Sequence, residues 1–123
     1  MEIYTQKVKY VLEERTLAFS KKILKFCKTL PQDVITKPLL SQLVRSATSV
    51  GANYAEANGA SSKKDFANKV FIYKKEAKET MYWLTLLGSL FEDRRTELTF
   101  LYKESKELTL IFSKISSSSR KQD

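Results

Sequence analysis

The fold of this chain is decided by residues 62–90, which read SKKDFANKVFIYKKEAKETMYWLTLLGSL. Apolar or small residues recur there at spacings of four and three, which is the period of one face of an α-helix. They are Phe66, Val70, Tyr73, Ala77, Met81, Leu84 and Gly88. Ser62, with Asp65 three residues later, resembles a capping box at the start of this helix. The stretch therefore predicts one long amphipathic helix.

Three further segments have the same period, and they lie at about residues 3–28, 36–57 and 96–115. None of the segments shows the sustained alternation of a strand, and the chain has only three Gly and two Pro. We therefore predict an all-α fold, an antiparallel up-down four-helix bundle. Residues 1–115 are expected to form this single domain, and residues 116–123 a flexible Ser-rich tail.

The chain is basic, with 22 Lys and Arg against 14 Asp and Glu and a net charge of +8. The excess lies in residues 1–30, which carry +4, and in residues 58–91, which carry +3, whereas residues 31–57 are neutral. Such a charge favours nucleic acid or an anionic surface as a partner. The alternative is a solvated, Lys-rich surface that only keeps the protein soluble.

The residues of the common catalytic and metal sites are missing. The chain has no His, and Cys27 is its only cysteine, which excludes Ser-His-Asp and Cys-His nucleophiles, the common zinc sites and an intrachain disulfide. No glycine-rich phosphate loop occurs. Glu56, Glu76 and Glu79 lack the histidines of a bundle di-metal site. We expect no enzyme activity, no catalytic residue, no metal, no cofactor and no small-molecule substrate.

The chain also lacks the features of an exported or membrane protein. Its first residues do not form a signal peptide, and no apolar run approaches the ~18 residues of a membrane span. We expect a cytoplasmic protein without a membrane partner.

A polar stripe on the second helix is formed by Arg45, Ser49, Asn53 and Glu56, with Ser46 beside it. These positions share one face of a helix, and their charges cancel. The stripe is either solvated, or buried between helices and hydrogen-bonded, or a surface for recognition or for contact between subunits. Its neutrality suits contact with protein better than contact with phosphate.

The third helix carries a second surface, opposite its apolar stripe, of Lys64, Phe71, Lys75, Lys78 and Tyr82. Lysines interleaved with aromatic rings would bind RNA through phosphate contacts and base stacking. In the alternative interpretation, the rings pack against another subunit and the lysines stay solvated.

Ile72 and Trp83 add a further apolar flank to the same helix. A helix that is apolar on several sides is usually buried on several sides, which is difficult to arrange in a four-helix monomer. We therefore favour self-association of the chain, with Phe71, Ile72 and Trp83 as the residues that pack between copies.

The stretch from Gln42 to Ala57, QLVRSATSVGANYAEA, together with the earlier Leu30-Pro31, resembles a known family. This is the family of four-helix bundles encoded in intervening sequences of bacterial large-subunit ribosomal RNA genes. The residues that match its recurring pattern are Arg45, Ser46, Ser49, Asn53, Glu56 and Gly59, with Glu79 as a later glutamate on the third helix. The turn after Glu56 is longer here than in many members. The resemblance extends over about residues 5–115.

The resemblance implies a ring-like homopentamer, and a similarity to accessory proteins of diversity-generating retroelements, which work with a reverse transcriptase and its RNA. Our hypothesis is a non-catalytic, basic, oligomeric bundle that binds RNA or a ribonucleoprotein, including a reverse-transcriptase assembly. The residues expected to contact phosphate are Lys21, Lys25, Lys28, Lys64, Lys75 and Lys78. The residues expected to hold the fold or the subunit interface are Arg45, Ser46, Ser49, Asn53, Glu56 and Glu79. The alternative is a protein–protein adaptor or structural oligomer with no nucleic-acid role.

Overall fold

The computed structural model describes the backbone of residues 5–122 and the side chains of residues 5–117. Within these residues the chain forms four helices and no strand, as the periodicity predicts. The helices are α1 (Gln6–Lys28), α2 (Thr36–Ala57), α3 (Lys63–Leu90) and α4 (Arg95–Gln122), and a short 3₁₀ turn (Glu92–Arg94) precedes α4. The prediction of an all-α four-helix bundle is confirmed.

Each helix packs against two others. α1 packs against α2 and α4, and α3 packs against the same two helices, so α1 and α3 occupy diagonal corners of the bundle. α2 and α3 are antiparallel, since Ser46 faces Thr80 whereas the later Ser49 faces the earlier Glu76. α1 and α4 are antiparallel as well, since Arg15 meets Glu104 whereas the later Lys22 meets the earlier Phe100. The outward surfaces of α1 and α3 consequently point to opposite sides of the molecule.

The core consists of the predicted apolar stripes, which meet along the bundle axis. Its largest fully buried side chains include Phe19, Tyr54 and Phe112, and the rings of Tyr54 and Phe112 lie with their centroids 5.7 Å apart. On α3 the buried surface is wider than the predicted stripe, because the helix contacts both α2 and α4. Ala67 and Leu87 are therefore buried as well.

Local hydrogen bonds fix where the helices begin. The Ser62 hydroxyl accepts a hydrogen bond from the Asp65 amide over 3.0 Å, as the capping box predicts. At α2 the helix begins at Thr36, and no side chain at the preceding Ile35 caps it. The Asp33 carboxylate instead accepts hydrogen bonds from the amides of Ile35 and Thr36, 3.0 and 2.8 Å long.

The fourth helix continues beyond the domain boundary predicted at residue 115. Ser116 is buried, and its hydroxyl donates to the Ala67 carbonyl over 3.0 Å, so the packing of α4 on α3 extends at least to Ser116. Residue 123 and the side chains of residues 118–122 lie outside the described residues, and the flexibility expected of the tail stays a prediction.

Among the described residues, no helix combines the length and the apolar character that crossing a membrane requires.

Candidate nucleic-acid interface

A groove runs between the C-terminal half of α1 and the N-terminal half of α4. We call it the α1/α4 groove and define it by Lys22, Lys25, Phe26, Phe100 and Leu101, which line a space of about 460 Å³. Phe26 and Leu101 are buried and form its floor. The ring of Phe100 stands at the rim with 57% of its surface exposed. The groove therefore offers apolar surface to solvent beside charged side chains.

Lys22 and Lys25 line this groove together with Glu97 of α4, and the outer surface of α1 beside it is basic. Lys21, Lys22, Lys25 and Lys28 are all exposed on α1, and the sequence holds no acidic residue between Glu14 and Asp33. The ammonium of Lys22 lies 4.9 Å from the centroid of the Phe100 ring, within the range of a cation–π contact. This end of α1 therefore presents a row of positive charges without nearby carboxylates on the same helix.

The carboxylates that α4 contributes to this region are held by arginines. Arg94 donates two hydrogen bonds to Glu97, 2.5 and 2.8 Å long, and a third to the Thr29 hydroxyl over 2.8 Å. Its guanidinium also lies 4.9 Å from the ring of Phe26. Arg94 thus ties the start of α4 to the end of α1 and closes one end of the groove.

Arg15, which interrupts the apolar stripe of α1, pairs with α4 deeper in the same seam. It donates two hydrogen bonds of 2.8 Å to the carboxylate of Glu104 and lies 3.1 Å from Glu107. The hydrogen bonds from Arg15 are the main reason that the pKa of Glu104 lies below its usual range. Burial acts in the opposite direction and raises this pKa. The pair fixes the spacing of the two helices that form the groove.

The second basic surface is the one predicted on α3, which we call the α3 face: Lys64, Phe71, Lys75, Lys78 and Tyr82. Its three lysines are exposed. The ring of Phe71 is half-buried, with the ammonium groups of Lys74 and Lys75 4.5 and 5.9 Å from its centroid. Tyr82 is 57% exposed and meets Trp83 edge-to-face with centroids 5.0 Å apart. This face is the convex surface of a single helix.

The six lysines predicted to contact phosphate do not form one surface. Lys21, Lys25 and Lys28 lie on α1, and the other three lie on α3, at the diagonal corner of the bundle. Sequence reasoning also missed two residues of the α1/α4 groove, Lys22 and Phe100. Phe100 could have been found because it falls outside the apolar stripe of α4. An aromatic residue in such a position is expected to face solvent.

The polar stripe on α2 joins α2 to α3. Arg45 forms ion pairs with Glu76, over 3.1 Å, and with Glu79. The Ser49 hydroxyl donates to Glu76 over 3.1 Å, and the Thr80 hydroxyl donates to the fully buried Ser46 hydroxyl over 2.9 Å. These members of the stripe are hydrogen-bonded between α2 and α3, with Ser46 fully buried and Arg45 exposed.

The other two members, Asn53 and Glu56, lie on the same side of α2. Asn53 is half-buried and Glu56 is exposed. The nearby charge of Glu56 helps to raise the pKa of Tyr73, although burial of this tyrosine is the larger cause.

The residues predicted to pack between copies are not equally accessible. Ile72 is 52% exposed, whereas Trp83 is half-buried against the core and its indole N–H donates to Glu79 over 3.1 Å. Apolar side chains that the sequence analysis did not select are exposed on α1, among them Leu17, which is 55% exposed, and Leu24.

The described residues contain no group of three or more His, Cys, Asp or Glu side chains placed to hold a metal ion. Cys27 is buried between α1 and its neighbours, and burial raises the pKa of its thiol to about 11. At neutral pH the thiol is therefore held in its protonated form, which is the less reactive form of a cysteine.

Comparison with known proteins identifies a family and similar solved structures. The model of a family described as 23S rRNA-intervening sequence protein matches residues 9–116. The crystal structure of a protein of unknown function from the S23 ribosomal protein family of Bacteroides thetaiotaomicron is similar, with a TM-score of 0.76. The two chains are 33% identical over 85% of this chain and 96% of the other. The sequence matches none of the curated proteins with which it was compared.

Proposed function

We propose that this chain, which belongs to the family of 23S rRNA-intervening sequence proteins, is a non-catalytic bundle. It binds RNA through the α1/α4 groove. One observation carries the proposal. Four exposed lysines stand on a stretch of α1 that has no acidic residue, and two of them, Lys22 and Lys25, line an apolar groove that has an exposed phenylalanine at its rim.

The spacing of the lysines supports contact with a nucleic-acid backbone. Lys21, Lys25 and Lys28 share one face of α1 and extend over about 10 Å at 1.5 Å per residue. Ammonium groups arranged in this way attract phosphates and displace their counterions, which is the main source of affinity that does not depend on sequence. Since Arg15 and Arg94 hold the carboxylates of Glu104 and Glu97, these acids repel phosphate less.

A salt titration tests the proposal. The affinity for a mixed-sequence single-stranded RNA is measured by fluorescence anisotropy between low and moderate salt. With three or four phosphate contacts, we expect the logarithm of the association constant to fall with the logarithm of salt concentration with a slope of about −2 to −3. Binding that is absent at low salt, or that does not change with salt, would refute the proposal.

A pull-down from a native lysate, with this protein as bait, distinguishes RNA binding from an adaptor role. We propose that proteins recovered with it from a native lysate, including any reverse transcriptase, are bridged by RNA and are lost after nuclease treatment. A protein partner retained after nuclease would favour the adaptor function instead.

We also propose that copies of the chain associate, and the family resemblance indicates five. The support is the exposure of large apolar side chains on separate helices, Ile72 on α3 and Leu17 on α1. The chain has a mass of 14.2 kDa, and five copies give about 71 kDa. Light scattering coupled to size exclusion measures this mass, and a monomer at micromolar concentration would contradict the proposal. The same measurement on Ile72→Lys and on Leu17→Lys shows which helix lies in the interface. The substitution in the interface should lower the mass of the assembly.

A further inference from the structure

We infer that the α1/α4 groove selects single-stranded RNA by stacking one unpaired base on the ring of Phe100. The inference rests on the proposed function, because it names the form of RNA that the same groove takes. It adds a residue, Phe100, that acts through its ring and not through charge.

The position of the ring is the first argument. Phe100 is 57% exposed, which leaves much of its apolar surface in water in the absence of a ligand. Beside it lies a space of about 460 Å³ with the buried side chains of Phe26 and Leu101 as its floor. This volume falls within the range of sites that hold small organic groups, about 300–1,000 Å³. A base that stacks on Phe100 would enter this space and cover the ring.

The charges around the ring are the second argument. The ammonium of Lys22 lies 4.9 Å from the ring centroid, and Lys25 lines the same groove, as does Glu97, whose carboxylate is paired with Arg94. Both side chains end in a charge on a long, flexible stem. When a base takes the place of the Lys22 ammonium over the ring, that ammonium moves to the adjoining phosphate. A stacked base between phosphates that contact lysines is the arrangement used by proteins that bind single strands.

The structure of duplex RNA is the third argument. In a duplex each base is already stacked and paired, so that its flat face is not available to a side chain on the protein surface. A duplex would therefore contact the lysines of α1 through its phosphates but would not use the ring of Phe100. The groove should bind both forms through charge and favour the single strand through stacking.

The test compares two RNA probes and two matched variants. The probes are a twelve-nucleotide strand of alternating cytidine and adenosine, which does not pair with itself, and a twelve-base-pair duplex. The variants are Phe100→Leu, in the α1/α4 groove, and Tyr82→Leu, on the α3 face, and each replaces an aromatic residue that is 57% exposed. Neither variant removes charge or a buried side chain, and thermal unfolding checks that both fold as the wild type does.

We expect Phe100→Leu to weaken binding of the single strand by about 5- to 150-fold, which corresponds to the loss of one base–aromatic stack, about 1–3 kcal/mol. Its affinity for the duplex and its salt slope should stay within about twofold of the wild type, because the lysines remain. Tyr82→Leu should bind both probes as the wild type does.

The possible outcomes separate this inference from the proposed function. If Phe100→Leu weakens both probes equally, or neither, while salt-dependent binding persists, the stacking inference is wrong and the RNA-binding function stands. If the wild type prefers the duplex, the inference is also wrong. If the wild type binds neither probe at low salt, both proposals fall together.

Discussion

The α1/α4 groove and the α3 face are built from the same kinds of residue, and they differ in shape. Each has exposed lysines around an aromatic ring, and Phe100 and Tyr82 are exposed to the same extent, 57%. The groove lies between two helices and has an apolar floor, whereas the α3 face is convex. On α3 the ring of Tyr82 meets Trp83, and the half-buried Phe71 lies under lysine ammonium groups.

The acidic neighbours of the two surfaces differ as well. The lysine row of α1 lies in a stretch of helix with no Asp or Glu. The lysines of α3 share their helix with Glu76 and Glu79, which hold Arg45 from α2. Lysines and aromatic rings thus occur both on a concave surface, whose acidic residues are paired with Arg15 and Arg94, and on a helix face that also serves the packing of the bundle. We expect only the first to bind RNA tightly.

The largest effect is expected from removing the lysine row of one surface at a time. Lys21, Lys25 and Lys28 are replaced by Gln in one variant, which lowers the net charge from +8 to +5. Three lost phosphate contacts should reduce the salt slope for a single strand by about 2, which corresponds to about 100-fold weaker binding at 0.1 M salt. Fluorescence anisotropy over a salt series measures both quantities.

The matched control replaces Lys64, Lys75 and Lys78 of the α3 face by Gln, with the same change in net charge. We expect its affinity to fall by less than about fivefold, through long-range charge alone. Equal losses in the two variants would mean that net charge determines binding, and the larger loss in the α3 variant would place the RNA on α3. Positive charges in the last turn of α1, such as Lys25 and Lys28, stabilise the helix by up to about 1 kcal/mol. Urea unfolding of both variants therefore checks whether a loss of affinity comes from a loss of stability.

A smaller effect is expected from the ion pair that holds the groove together. Glu104→Gln removes the charge that accepts two hydrogen bonds from the partly buried Arg15. We expect a loss of about 1 kcal/mol in the free energy of unfolding at pH 7, because partial exposure reduces the value of a charged hydrogen bond. Glu76→Gln, in the more exposed cluster around Arg45, serves as the control and should lose less.

This effect should depend on pH in a defined direction. The pKa of Glu104 is lower in the folded protein than its ordinary value, so the unfolded chain takes up a proton first as the pH falls. The stabilisation is therefore complete above the ordinary pKa of a glutamate, about 4.3, and is lost as the pH falls through the lower pKa of the folded state. The difference between the wild type and Glu104→Gln should shrink between pH 5 and pH 3 in urea unfolding. A difference that stays constant over this range would contradict the role assigned to the pair.

Most of the fold could be predicted because its signals are local. The spacing from Phe66 to Gly88 predicts α3, and Ser62 with Asp65 marks its first turn, since helical periodicity and capping depend on residues within one or two turns of each other. The end of the domain was less predictable. The serines after Ile115 resemble a tail, but Ser116 is buried because its hydroxyl reaches the Ala67 carbonyl on another helix.

The roles of the charged residues could be predicted only in part. The sequence places Arg45 and Ser49 on one face, but it does not say that Glu76 on α3 meets them. Arg15 interrupts the apolar stripe of α1, and the sequence does not indicate that its partner is Glu104, 89 positions further on. Such contacts depend on the register and rotation of one helix against another, which the helical period leaves open.

By itself, the sequence determined that this protein consists of four amphipathic helices, that the first and third carry its positive charge, and that no histidine is present for common catalytic chemistry. The tertiary structure decided which of those charges share a surface. Because α1 and α3 lie at diagonal corners, their lysines face opposite sides, and the antiparallel packing of α1 on α4 brings Lys22 to the ring of Phe100. The physical reason is that helix formation is governed by neighbours along the chain, whereas a surface is assembled from whatever side chains the packing of the core leaves exposed on adjacent helices.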